Sequence, residues 1–367
     1  MKGEMDMAIK RSAIRGCLLG LAVGDAMGYS IDGRSLEEIR RDYGPTGLMG
    51  YDLVNGVAEV SSYTQLAAFS ANALLVYLTR SRTQGKGTPA LSYIGAAVKE
   101  WSRSQYYCQQ ERNFCWLSTI PALKRRHCLD NRMLDILSKG NLGTPERPVS
   151  QYRHGGALTE VVPIALLSEE LLLVDRLGAE AVALTHGDPE AFICGAALTH
   201  ALSLLIRQPD IDVEVLLRDT VDSIQMQYGR EYPQVGKLWE LLQMALVLVK
   251  AERVSPMEAM ERLGCRTSAE ILAGVLYACL TCNGDFDTAI ITAVNHSGRS
   301  AAVGALTGAI LGAIWGDQVL RGFYLDPLEP TDYLLELADD MFDGSPLDKV
   351  ANLSSEAWER KYIHAKR

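Results

Sequence analysis

The stretch NHSGRSAAVGALTGAILGAIWG, residues 295–316, joins a polar, glycine-bearing loop directly to an apolar helical run. A loop of this kind, residues 297–300, is expected to aim unpaired backbone N–H groups into the adjacent cleft, which favours anions. Gly304, Gly308 and Gly312 recur every four residues. They make one smooth stripe along the helix, against which another helix or a ligand can lie. Asp25 stands within the apolar run AIRGCLLGLAVGDAMG, where a carboxylate needs hydrogen-bonding partners. Asp285 and Asp287, in NGDFDT, read as first-turn acids that complement a helix dipole. Cys279 and Cys282 form a C-x-x-C late in ILAGVLYACLTC, with no second pair at zinc spacing, so they read as buried helical thiols. KRRH at 124–127 is the one basic cluster and reads as a solvated helix end.

The elements that must hold these groups are helices. Ile14, Cys17, Leu18, Leu21 and Ala22 fall at helical spacing, and the run ends at Gly28, where a C-terminal glycine fits. Comparable runs recur through TQLAAFSANALLVYL, EAFICGAALTHALSLLI, GKLWELLQMALVLV and SAEILAGVLYACL. The one β-signal is YDLVNGVAEV, whose Asn55-Gly56 pair suits a short hairpin. Helices this rich in Ala and Gly let backbones approach closely, so the fold class is all-α, a compact multi-helix bundle.

No Pro/Gly/Ser-rich linker or run of like charge divides the 367 residues, so a single domain spanning 1–367 is expected. The formal net charge of -9 argues against a general nucleic-acid binder. No stretch reads as an uninterrupted membrane span. Eight scattered cysteines and a start, MKGEMDMAIKRSAIRG, without the apolar core of a secretory signal point to a reducing, cytoplasmic compartment.

Several separated segments, in order, resemble the ADP-ribosylglycohydrolase family, all-α hydrolases that remove ADP-ribose from proteins or small molecules. GCLLGLAVGDAMGYSID at 16–32 resembles the family's opening helix and the acidic loop after it. VSSYTQLAAFSANALL at 60–75 resembles its S/T-D-D-T-Q helix start, and HGGALTEVVPIAL at 154–166 its ligand loop ending in Met-Arg-x-x-Pro. ALTHGDPEAFICGAAL at 183–198 is similar to the Thr-His-x-x-P helix start. Residues 295–316 are similar to N-H-x-G-D-S-D-S/T-x-G-A-x-x-G. The resemblance runs from about 14 to 316 and leaves 317–367 as a C-terminal helical extension. It implies a compact orthogonal bundle of the ADP-ribosylglycohydrolase type.

The resemblance also implies two Mg²⁺ ions held by the first and last motifs, and here this chain departs from the family. Ser62 and Tyr63 stand at the two Asp positions of the first motif, with Thr64 kept. In the last motif Arg299 and Ala301 stand at the Asp positions and Ala302 at the terminal hydroxyl position, with Ser300 kept. Hard divalent cations need oxygen ligands, and a guanidinium repels them. The expectation is therefore no metal and no cofactor, with Arg299 substituting electrostatically for the ions or forming an internal ion pair with Asp25, Asp32 or Glu59.

Asp32 stands where the family's loop carries a Glu expected to activate water or engage the scissile ribose, and it would be the catalytic residue if activity remains. It reads equally as a solvated turn residue before Gly33. His186 matches the family's Thr-His, as a ligand-facing imidazole or a helix-entry hydrogen bond. Gly155, Gly156 and Ala157 keep the ligand loop's backbone, while the expected Met-Arg is Thr159-Glu160. The ligand-binding set is then Asp32, Gly155, Gly156, Ala157, His186, Arg299 and Ser300. The function implied is a catalytically degenerate homologue binding an ADP-ribose-like nucleotide or a protein partner. The alternative is a metal-independent or relocated-site hydrolase using Asp32 with Arg299 as the cation.

Overall fold

The computed structural model describes residues 9–84, 87–106, 113–166, 170–344 and 356–366. The first half comprises α1 (Arg11–Tyr29), α2 (Leu36–Tyr43), α3 (Ser62–Gln84), α4 (Ala90–Gln105), α5 (Pro121–Lys124) and α6 (Asn131–Ser138). After 3₁₀ turns at Gly155–Ala157 and Thr159–Leu166 come α7 (Leu171–Ala183), α8 (Pro189–Arg207), α9 (Val213–Tyr228) and α10 (Gln234–Val249). The remainder is α11 (Pro256–Leu263), α12 (Ser268–Thr281), α13 (Phe286–Val294), α14 (Ser300–Trp315), α15 (Gly322–Leu325), α16 (Thr331–Asp343) and α17 (Glu356–Tyr362). The start signals are chemical: Ser35 and Thr267 close capping boxes with Glu38 and Glu270, and Asp188, Asp212, Ser255 and Asp285 accept from first-turn N–H groups.

The expected hairpin shrinks to one antiparallel bridge, Val54 with Val57, across Asn55 and Gly56. Both turn residues take positive φ, 54° and 81°, as a type I′ turn requires, but no ladder extends from it. Among the described residues the other β pairing is likewise confined to isolated bridges.

At the centre α1 lies against α14, the most extensive helix–helix contact among the described residues. Gly16, Gly20 and Gly24 of α1 meet Gly312, Gly308 and Gly304 of α14. A Cβ on Gly20 would sit 2.1 Å from the Gly308 carbonyl oxygen, and one on Gly308 would sit 1.9 Å from that of Gly20. The smooth stripe is therefore a helix–helix seam. Both helices are buried along nearly their whole length, so their side chains carry little amphipathic pattern. Around this pair α3, α8, α12 and α13 complete one contiguous apolar core. The C-terminal segment packs onto it, α16 against α1 and α3, with Trp358 of α17 donating to Thr79 at 2.9 Å.

One helix, α8, is long and apolar enough to cross a membrane by length and composition, although Thr199, His200 and Ser203 interrupt its apolar run. It is a core helix, 78% buried over that window, and carries the buried, ion-paired His200. Cys279, near the end of α12, and Cys282, its C-cap, are free thiols; Cys282 is buried as expected, whereas Cys279 is half-buried. Lys124, the last residue of α5, and Arg125 and Arg126 just past it are exposed, and Arg125 pairs with Glu59 at 3.5 Å and Glu329 at 2.9 Å.

Candidate functional site

The start of α3 is built on Asp25. This carboxylate, fully buried on α1, accepts from the backbone N–H of Ser61 (2.9 Å) and Thr64 (3.0 Å) and from both hydroxyls (2.5 and 2.6 Å). It thereby satisfies N–H groups that a helix start leaves unpaired. Burial pushes Asp25 up to about 6, against the pull of those four hydrogen bonds. Thr64, the retained hydroxyl of the first motif, is thus spent on Asp25. Ser62 accepts from Leu129 N–H at 3.3 Å and donates its own backbone N–H to His127 O, which ties the 127–130 loop over the helix start.

At the start of α14, Arg299 reaches back across this helix. Its Nη2 lies 3.3 Å from Asp32 Oδ2 and donates to the Tyr63 hydroxyl at 3.0 Å, while Nε donates to the same hydroxyl at 3.3 Å. Nη1 has no partner among the described residues. Asp32 is 2% exposed, and its Oδ1 accepts from Ala301 N–H at 3.1 Å. It is an internal counter-ion, not a solvated turn residue. Burial raises its pKa, with Arg299 and the Ala301 N–H pulling the other way. The phenol of Tyr63, fully buried, is pushed well above its usual value by burial. Three positions that sequence places apart, 32, 63 and 299, therefore form one cluster.

This cluster does not fit a pair of magnesium ions. Tyr63 and Arg299 occupy two of the expected carboxylate positions with a phenol and a cation, and Ala301 and Ala302 are buried in α14 without oxygen donors on their side chains. Asp25 and Asp32, the carboxylates nearest these positions in the hydrogen-bond network, are consumed by the contacts described. Ser300 Oγ donates to His296 O at 3.3 Å. Asp285 and Asp287 supply no displaced set: Asp285 caps α13 through Thr288, and Asp287 lies 3.4 Å from Arg321.

One expectation is overturned. Three of the four N–H groups of the 297–300 loop, and that of Ala301 beyond it, are not free for an anion. Ser297 N donates to Glu261, Gly298 N to His296 Nδ1 (2.9 Å), Arg299 N to Cys265 O (2.8 Å) and Ala301 N to Asp32. Glycine at 298 is needed for this internal closure, since a Cβ there would lie 2.4 Å from the Cys265 carbonyl oxygen.

The ligand loop brings a second group of side chains beside the first. Gly155, Gly156 and Ala157 are buried in a 3₁₀ turn fixed by the pairing of His154 with Thr267 and by Ser268 N–H donating to Arg153 O at 2.7 Å. His186, fully buried between α7 and α8, has Nδ1 2.9 Å from the Thr185 hydroxyl and Nε2 3.3 Å from His154 Nδ1. Burial first, and then His154, hold His186 far below its usual value, at about 3, so it is neutral. On the other side of His154, Nε2 lies 2.9 Å from Asp130 Oδ2, and Tyr152 stacks on its ring at 5.5 Å. Asp130 and His154 were not among the residues singled out in the sequence. His154 directly precedes the glycine pair, which was a usable signal; Asp130 lies in no motif.

Thr159 donates to Tyr63 O at 3.1 Å. Glu160, at the position of the expected Arg, is fully buried with no hydrogen-bond partner for either oxygen among the described residues. Burial pushes it up to about 8, so it is mainly a neutral acid at pH 7.

The chain matches the ADP-ribosylglycohydrolase family over residues 6–350, further toward the C-terminus than the motifs reach. An uncharacterized protein of Archaeoglobus fulgidus is 25% identical over 345 residues, covering 90% of this chain and 95% of that protein. A solved structure described as an ADP-ribosylglycohydrolase-related protein complex superposes with a TM-score of 0.60 at 21% identity, covering 91% of this chain and 98% of that one. The fold is therefore shared with that structure, and the match across nearly the whole sequence establishes that this chain belongs to the ADP-ribosylglycohydrolase family.

Proposed function

We propose that this chain is a member of the family without two-magnesium hydrolysis, in which the former active-site face binds an ADP-ribose-like nucleotide or an acidic group of a protein partner. The observation that carries the reading is Arg299. It stands where a metal-binding carboxylate is expected, is held by Asp32 and Tyr63, and has no partner for Nη1 among the described residues. A guanidinium with free donors suits phosphate or carboxylate oxygens and needs no ion to do so. His154 and Arg299 are both part-exposed, 26% and 25%, so the face is open to solvent at the groups with donors to offer.

In this reading Asp32 is the counter-ion that fixes the guanidinium, not a general base. Both of its oxygens are engaged, and a base must be free to take a proton from a positioned water.

The test has two arms. Calorimetry should show ADP-ribose binding to the wild type that weakens at least tenfold in Arg299→Ala. In parallel, ADP-ribosyl-arginine, ADP-ribosyl-serine and O-acetyl-ADP-ribose should survive incubation with or without millimolar Mg²⁺, and Mg²⁺ should leave the melting temperature unchanged. Mg²⁺-dependent turnover, or a saturable thermal shift with Mg²⁺, sinks the degenerate-site reading. Metal-independent release of ADP-ribose that disappears in Asp32→Ala would establish the hydrolase alternative instead.

A further inference from the structure

On the outside of α10 the usual division into an apolar and a polar side breaks down. Val235, Leu238, Leu242, Ala245 and Leu248 recur along this helix at spacings of three and four and are buried, with α8 and α12 packed against the helix. The outward side should then be polar, but it carries Trp239, Met244 and Val247, the last 67% exposed. The outward stripe of the neighbouring α9 is similar. Val215, Arg218, Asp222 and Met226 follow one another there at three, four and four, with Met226 68% exposed. Scattered apolar residues on a surface are ordinary, but five of the twelve large exposed ones among the described residues gather on these two helices. Between the helices lies a cleft of about 430 Å³ whose walls include Val221, Trp239 and Leu246. We propose that this face is the interface of a symmetric homodimer, in which α10 of one copy lies antiparallel against α10 of the other.

The charges on the face select a second copy as the occupant. Glu240 and Lys250 are exposed, and neither has an ion pair among the described residues. They stand five residues before and five residues after Ala245. A two-fold axis at the level of Ala245, on the outward side of the helix, reverses the direction of the second helix, so a residue before Ala245 comes level with the residue equally far after it in the other copy. Glu240 of each copy is then level with Lys250 of the other, and the pairing occurs twice, each time about 7.5 Å along the helix from the axis at about 1.5 Å per residue. The same register sets Val247 level with Gln243 of the second copy, which lines the cleft between α9 and α10. A parallel arrangement would instead set Glu240 against Glu240 and Lys250 against Lys250, and like charges opposed across an interface are costly. Opposite charges placed symmetrically about one point make the face complementary to itself, as an isologous interface requires.

Neither α9 nor α10 contributes a residue to the cluster of Asp32, Tyr63 and Arg299 or to the hydrogen-bonded pair of His154 and His186. The dimer therefore stands whether or not a nucleotide binds at Arg299.

Sedimentation velocity of the whole chain over a concentration series should show a monomer–dimer equilibrium that shifts to monomer in Val247→Asp. Glu240→Lys sets two lysines level with each other at both ends of the contact, and Lys250→Glu sets two glutamates there, so each alone should weaken the dimer by about tenfold or more. Mixed in equal amounts, the two variants should associate with each other as tightly as the wild type does with itself, because the charges are then opposite at both ends. All three positions are exposed, so the variants should keep the wild-type helical signal in circular dichroism. A wild type that stays monomeric at every concentration, a dimer unchanged in Val247→Asp, open-ended assembly in place of a dimer, or a mixture that associates no more tightly than its components would each overturn the interface.

Discussion

Arg299, at the start of α14, places an obligation on the molecule, because a guanidinium in a part-buried position must be paired. Asp32 and Tyr63 meet it, and Asp32 in turn depends on Arg299, being 2% exposed with one other donor from Ala301. Removing one partner of such a pair strands the other. Arg299→Ala should therefore destabilise the fold by about 3 kcal/mol at neutral pH. The sign with pH follows from burial. Asp32 already has a raised pKa in the folded state, and losing the guanidinium raises it further. A carboxyl raised above its unfolded value takes up its proton more readily when folded, so stability is lost as pH climbs through the folded value. The deficit of Arg299→Ala should thus be smaller at pH 5 than at pH 8 in urea unfolding, and Arg299→Ala/Asp32→Asn should recover part of it. A deficit independent of pH would remove Asp32 as its cause.

At the scale of helices, the glycines of α1 and α14 decide how the site is held. Asp25 and Asp32 come from α1 and the turn after it, whereas Arg299 and Ala301 come from the start of α14, so the ion pair forms only if the two helices lie backbone to backbone. Each helical glycine costs about 1 kcal/mol of intrinsic helix stability, and the close approach must offset it. Gly308→Ala would place a methyl 1.9 Å from the Gly20 carbonyl oxygen, with backbone on both sides and no flexible side chain to yield. It should cost about 3 kcal/mol or more, with loss of soluble folded protein as the extreme outcome. Gly236→Ala is the contrasting case. It lies in the first turn of α10 with nothing within 4 Å of the added Cβ, and should be neutral to stabilising by up to about 1 kcal/mol. Equal melting temperatures for the two variants would contradict the seam as described.

Across the whole molecule, one buried polar node joins three helices away from the site. His200 of α8 lies between Asp175 of α7, 3.0 Å from its Nδ1, and Asp219 of α9, 3.2 Å from its Nε2. Ser223 and Gln227 of α9 donate to the same Asp175 oxygen, each at 2.8 Å. Burial, which lowers the imidazole, is outweighed by the two carboxylates, so the folded pKa of His200 is raised. A histidine raised on folding contributes stability that is full below its unfolded value, near 6.5, and is lost as pH rises through the folded value. His200→Asn should therefore be destabilised by about 2 kcal/mol near pH 6, with the gap to wild type narrowing toward pH 9. A gap that widens with pH would show that His200 is neutral in the fold.

What the sequence determined by itself was whatever is local or periodic. Helical spacing of apolar residues set the all-α class. The glycine stripe at 304, 308 and 312 announced a close seam, and the order of short motifs pointed to the family that the full-length match establishes. The absence of carboxylates at 62, 63, 299 and 301 was likewise legible, because composition at a motif position requires no folding to read. Tertiary structure alone decided what replaced them. Asp32 read equally as a solvated turn residue or a catalytic acid, and only the crossing of α1 and α14 shows it buried against Arg299 and the Ala301 N–H. The 297–300 loop reads as offering its N–H groups to a ligand, but Glu261 and Cys265 O, 36 and 34 residues before the groups they accept from, and the His296 ring take those of Ser297, Arg299 and Gly298, while Asp32 in the turn after α1 takes that of Ala301. Asp130 was invisible because its partners, His154 and His186, lie in other segments and no spacing rule links the three. A side chain's chemistry is encoded where it stands in the chain, whereas its charge, donors and exposure are set by whichever distant backbone the packing brings against it.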